Sequence, residues 1–109
     1  MLTLFACLLV AHALADYPLQ GDFLARAKNP WAPLPGVPWT WAMGAHCAIH
    51  AGAVAWLTGA WFLGVAEFIA HAATDLLKCR GRISFSVDQW AHIAAKACWA
   101  VIAGAVAAC

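Results

Sequence analysis

EFIAHAATDLLK, residues Glu67 to Lys78, closes a long apolar segment yet carries Glu67, His71 and Asp75 at successive steps of four. On an α-helix, side chains four residues apart share one face, so this spacing predicts one polar stripe along an otherwise apolar helix. Ionisable groups are costly in a lipid-facing segment and normally turn inward toward partners or water. The stretch therefore predicts a buried polar site inside an apolar bundle.

The chain as a whole is unusually apolar. Of its 109 residues, 65% are hydrophobic and 10% are charged, whereas soluble domains have about 45–50% apolar and about 25% charged residues. Residues 2–15 carry no charged side chain, and residues 39–78 carry only three. These lengths approach the roughly 20 residues that cross a bilayer. The composition predicts one integral membrane domain over residues 1–109, surrounded by the lipid bilayer, and no basic cluster indicates a nucleic-acid partner.

The apolar segments predict an all-α fold, a four-helix transmembrane bundle. Its helices are expected at about 2–17, 39–57, 60–78 and 87–108. A Pro-rich cytoplasmic loop separates the first two helices, and its first part, Leu19 to Lys28, suits a short interfacial helix. A break is expected near Thr58-Gly59, and Ser86 is expected to cap the fourth helix.

Small residues lie four apart on one side of the second helix, at Gly44, Ala48 and Gly52. Such a face permits close helix packing in lipid and is compatible with a homo-oligomer.

The N-terminal residues Met1 to Ala15 have two interpretations. A short apolar run followed by Ala13-Leu14-Ala15 fits a cleaved signal peptide. However, a basic region is missing and His12 interrupts the run. We favour a retained first helix.

Basic residues predict the orientation, because five of them fall in the two loops that this topology places on one side. They are Arg26, Lys28, Lys78, Arg80 and Arg82. That side is expected to be cytoplasmic, with both termini outside.

All five histidines have an acidic or histidine partner four residues away. The pairs are His12 with Asp16, His46 with His50, His71 with both Glu67 and Asp75, and His92 with Asp88. This spacing places two ligating side chains on one helix face, as in H-x-x-x-H zinc sites. At about 1.5 Å per residue the pairs lie at similar depths from the cytoplasmic ends of their helices. The pattern predicts a buried metal centre near the cytoplasmic face.

The preferred ligands are His46, His50, His71 and Asp75, followed by Asp88 and His92. His12 and Asp16 are expected to ligate or to support ligands. Imidazole with carboxylate suits a divalent transition metal, zinc first, then manganese or iron. If the centre is catalytic, the expected activity is a metal-dependent hydrolase with Glu67 or Asp16 as the base; the substrate is not identified.

Two other functions stay open. Carboxylates, histidines and Lys96 can form a structural polar network that only fixes helix packing. A proton or ion transport component is the third possibility, but the outer halves of the helices contain no ionisable residue.

The combination of His12-Ala-Leu-Ala-Asp16-Tyr-Pro-Leu-Gln20, Lys28, His46 with His50, His71-x-x-x-Asp75-x-x-Lys78 and Asp88-Gln89-x-x-His92 resembles the bacterial and phage membrane proteins grouped as domain of unknown function 3307. The resemblance covers nearly the whole chain. It implies a small integral membrane protein and no established activity. Together with the predicted orientation, we expect a multi-pass protein of the bacterial inner membrane.

Overall fold

Five α-helices and no strand make up the chain in a computed structural model that describes residues 1–109. The helices are α1 (Leu2–Asp16), α2 (Gly21–Ala27), α3 (Trp39–Thr58), α4 (Trp61–Cys79) and α5 (Phe85–Ala107). The all-α class is confirmed. The four long helices lie within two residues of the expected bounds, and α2 is the short helix that the loop sequence suggested.

The start of α5 corrects one expectation, because Ser84 rather than Ser86 caps this helix. The Ser84 hydroxyl accepts a hydrogen bond from the Val87 backbone N–H at 3.1 Å. Ser84 has an extended backbone, with φ −75° and ψ 165°, which lets its side chain reach the N–H three residues ahead. Ser86 therefore lies in the first turn of the helix.

α3 and α4 form the closest helix pair. Gly59 caps the end of α3, and its φ of 69° is left-handed and favours glycine. Further along α4, a Cβ atom on Gly64 would lie 2.8 Å from the Ala51 carbonyl oxygen and 2.9 Å from the Ala55 Cβ. The two backbones can approach this closely only because residue 64 has no side chain.

The small-residue face of α3 that the sequence singled out, with Gly44, Ala48 and Gly52, does not contact α4. A Cβ atom on Gly44 or Gly52 would meet nothing within 4 Å, and Ala48 is exposed. The face that the sequence singled out is therefore on the outside of the bundle, and the neighbouring face with Ala51 and Ala55 contacts α4.

The bundle divides into two halves along its length of 49 Å. α1 and α4 each pack against both α3 and α5. Near the α3–α4 turn the core is apolar and consists of Leu8, Val54, Leu63, Ala100 and Ala103. At the other end, where α1 and α4 finish and α3 and α5 begin, the core is polar.

Polar residues are buried and large apolar residues are exposed to an extent that is unusual for a soluble protein. Ten of the 21 buried residues are polar or charged, although such side chains are mostly exposed in soluble domains. Large apolar side chains face outward instead, among them Trp41 at 78% exposure and Trp56 at 86%.

By length and composition alone, one helix can cross a membrane, Phe85–Ala107. α1 and α2 pass the same test only together, and they are bent by 84° at their junction. α1 has 15 residues, α3 contains two histidines, and α4 contains Glu67, Asp75 and Lys78. Length and composition therefore support one span, or two if α1 and α2 form a single bent span.

Candidate metal centre

Each of the four long helices directs one polar stripe into the polar half of the bundle. Because the members of a stripe are four residues apart, they all face the same interior. The structure brings together all the residues that the sequence predicted for the site. These are His12 and Asp16 on α1, His46 and His50 on α3, Glu67, His71 and Asp75 on α4, and Asp88 and His92 on α5.

One set of ligand atoms comes from Asp16, His46, His50 and His71, and these atoms all lie within 4.8 Å of one another. The Asp16 Oδ1 atom lies 2.9 Å from His50 Nε2, 3.4 Å from His46 Nε2 and 3.8 Å from His71 Nε2. The Nε2 atoms of His71 and His46 are 3.1 Å apart. Tetrahedral zinc with bonds near 2.0–2.1 Å separates its ligand atoms by about 3.3 Å, so these spacings suit such an ion.

A second set consists of His71, Asp75 and His92. The Asp75 Oδ1 atom lies 3.2 Å from His92 Nε2 and 3.7 Å from His71 Nε2. Asp88 Oδ1 lies 3.3 Å from the same His92 nitrogen. His71 is thus shared between the two sets.

The carboxylate beside the three preferred histidines is that of Asp16. The sequence favoured Asp75 for this place and kept Asp16 as a ligand or a supporting residue. Asp75 still approaches His46, with 3.4 Å between Oδ2 and Nε2. His12 lies behind the set, where its Nε2 is 3.3 Å from Asp16 Oδ2.

Three lysines neutralise three of the four buried carboxylates. Lys28 pairs with Asp75, Lys78 with Asp88 at 3.3 Å, and Lys96 with Glu67 at 2.5 Å. Lys96 thus pairs with a carboxylate, as expected for a member of the polar network that the sequence left open.

Asp16 is the exception, because its contacts are to imidazoles and to an amide. The Gln89 side chain donates to Asp16 Oδ2 at 2.9 Å, while Asp16 Oδ1 faces the three histidines. The charge on Asp16 thus has no lysine partner, which makes the first set the better place for a cation.

Glu67 uses both of its oxygens. Oε1 lies 3.1 Å from His71 Nδ1 and pairs with Lys96, and Oε2 accepts from the Trp99 indole N–H at 2.6 Å. When His71 Nδ1 carries the proton that it donates to Glu67, its Nε2 presents a lone pair to the first set. This contact orients the His71 ring so that Nε2 could serve as a ligand.

Sequence reasoning missed three contacts of the site. Lys28 was placed in the cytoplasmic loop with no contact to the site, but it is 2% exposed and lies against Asp75. The contacts of Gln89 with Asp16 and of Trp99 with Glu67 were not foreseen. The motif set did contain Lys28 and Gln89, whereas no spacing signal connects Trp99 with a residue 32 positions earlier.

A family model described as a protein of unknown function (DUF3307) matches residues 4–107. The chain belongs to this family. No curated protein and no solved structure matches it. The resemblance in the sequence motifs is thereby confirmed. The DUF3307 description states no activity, so the His/Asp cluster is the feature of this chain that bears on its function.

Proposed function

We propose that this DUF3307 protein is a small multi-pass protein of the bacterial inner membrane that holds one divalent transition metal ion in its buried His/Asp cluster. Zinc is the first candidate. We further propose that the metal serves hydrolysis of a substrate at the membrane interface.

The distribution of apolar and polar surface supports the proposed location in a membrane. Side chains such as Trp41, Trp56 and Trp61 are more than three-quarters exposed, and tryptophan is enriched at both interfaces of a bilayer. The bundle is 49 Å long, similar to the about 40–45 Å of a bilayer with its headgroups. Four spans would place every long helix in lipid and every polar stripe away from it.

Charge at the two ends supports the orientation. Arg26, Arg80 and Arg82 are exposed at the end where α4 finishes, and the opposite end has no Lys or Arg. The end with basic residues is the cytoplasmic one under the positive-inside rule. Both termini then lie outside.

The single observation that carries the metal proposal is the Asp16 carboxylate. It is the buried carboxylate without a lysine, and three imidazole nitrogens lie within 3.8 Å of its Oδ1 atom. A buried charge needs a partner. A divalent cation bound by His46, His50 and His71 would supply one.

The same geometry supports hydrolysis. If His46, His50 and His71 hold the ion and Asp16 stays outside its ligand shell, the fourth position of a zinc ion would be left for water, which the metal would activate as a nucleophile. Asp16 is the better of the two candidate bases, because Glu67 is held by His71, Lys96 and Trp99. The Asp16 side chain is 7% exposed at the end of α1, next to the interfacial loop from which a substrate would approach.

A structural polar network is the second candidate. It is supported by the three lysine–carboxylate pairs, which satisfy their charges without any metal. Transport has less support, since the apolar cluster around Leu8, Val54 and Leu63 fills the half of the bundle beyond the site.

Elemental analysis distinguishes the proposed metal site from a metal-free structural network. Protein purified in mild detergent after growth with zinc, manganese and iron should contain about one transition-metal ion per chain. His71→Ala should lose most of it, because losing a ligand or a supporting residue typically costs at least about 10–100-fold in metal affinity.

Cys47→Ala is the matched control, because Cys47 is as fully buried as His71 but is not among the ligand atoms of either set. It should keep the metal. Wild-type protein that contains no metal after supplemented growth would leave the structural network as the better function.

A further inference from the structure

We propose that the ammonium group of Lys28 takes the place of a second metal ion and thereby limits the cluster to one. This inference rests on the proposed metal site and adds the feature that sets its stoichiometry.

A second ion would have ligands available even when His71 serves the first. Asp75 Oδ1 and Asp88 Oδ1 lie 3.2 Å and 3.3 Å from His92 Nε2. Asp88 Oδ1 is buried and has no hydrogen-bond partner. Imidazole and carboxylate together are a donor set that divalent transition metals accept. A lack of ligands would therefore not limit the cluster to one ion.

Lys28 reaches this second set from α2. Gly21, with a left-handed φ of 60°, begins α2, and α2 is bent by 84° from α1. Lys28 follows directly after this helix and is 2% exposed. Its ammonium group forms an ion pair with Asp75 Oδ2, so a cation already lies against the carboxylate that the second ion would need.

The charge balance favours the lysine over a metal. With the imidazoles neutral, as metal ligation requires, the second set and the neighbouring Asp88 have no net charge, because Lys28 pairs with Asp75 and Lys78 with Asp88. A divalent ion placed there would meet two ammonium groups in a water-poor interior, where like charges repel strongly. Without Lys28 the set would carry one net negative charge, and a buried unpaired carboxylate is strongly unfavourable. A divalent ion would then relieve it.

Lys28→Met tests this directly, because methionine keeps a long flexible chain and removes the charge. Zinc per chain, measured on protein purified in detergent from zinc-supplemented cells, should double from about one to about two. Adding His92→Ala to Lys28→Met should return the value to about one, since it removes a ligand of the second set only. Arg26→Met changes an exposed cation of the same short helix and should leave the value at about one.

Lys28→Gln provides a second test if Lys28→Met aggregates, because glutamine can still donate a hydrogen bond to Asp75. Zinc content near one in the wild type and in both Lys28 variants would overturn this inference and leave the proposed metal site intact. Two zinc ions in the wild type would also overturn it. Absence of zinc from the wild type would overturn the proposed metal site together with the inference.

Discussion

Asp16 and Asp75 both have side chains less than 10% exposed beside histidines, but only Asp75 has a lysine against it. If the unpaired charge selects the metal, Asp16→Asn should weaken zinc binding by at least about 10–100-fold. Asp75→Asn, the same change at the lysine-paired site, should leave the first zinc ion bound. Competition with a zinc-chelating dye in detergent measures both affinities. Equal losses in the two variants would contradict the charge argument.

Which residues face the site could be predicted, because a repeat of four residues fixes a common helix face whatever the helix packs against. The sequence could not predict which carboxylate lies beside the three histidines. Asp16 and Asp75 are on different helices, and the choice depends on the distances between helices. The burial of Lys28 was equally hidden, because a lysine after a short interfacial helix normally extends into water.

At the scale of the element, Gly64 and Gly52 form a matched pair of helical glycines. A Cβ on Gly64 would lie 2.8 Å from a backbone oxygen of α3, whereas one on Gly52 would meet nothing within 4 Å. Alanine improves helix propensity equally at both, by about 1 kcal/mol. Gly64→Ala should therefore be less stable than Gly52→Ala by about 1–3 kcal/mol, the usual cost of overpacking. Unfolding in a series of sodium dodecyl sulfate fractions compares them, and equal stabilities would mean that the two helices are not held this closely.

The sequence predicted the helices well because prolines, glycines and charges interrupt the apolar runs at their ends. It predicted their contacts less well. α3 has small residues on two adjacent faces, Gly44 with Gly52 and Ala51 with Ala55, and only the packing of α4 decides between them. The cap of α5 shows the same limit, since Ser84 and Ser86 differ in backbone conformation rather than in residue type.

At the scale of the whole molecule, the chain has a polar interior at one end, an apolar interior at the other and an apolar outside. This distribution was foreseeable, because apolar residues predominate while the ionisable ones fall at helical spacing. Burial of Glu67 is sustained by its contacts with Lys96 and His71, and burial of Asp75 by its contacts with Lys28 and His92. If all four long helices cross the membrane, as proposed, none of these groups would be exposed to lipid, and the short and histidine-containing helices would be compatible with spanning despite their composition.

Two cysteines at opposite ends of the bundle test that topology. Cys79 ends α4 beside the basic residues and is partly buried, while Cys109 follows α5 and is exposed. With the basic end in the cytoplasm, a membrane-impermeant maleimide added to intact spheroplasts should label a variant that keeps only Cys109. A variant that keeps only Cys79 should be labelled only after the membrane is permeabilised, which also shows that its thiol can react. The reverse pattern would invert the orientation, and equal labelling of both before permeabilisation would rule out the four-span arrangement.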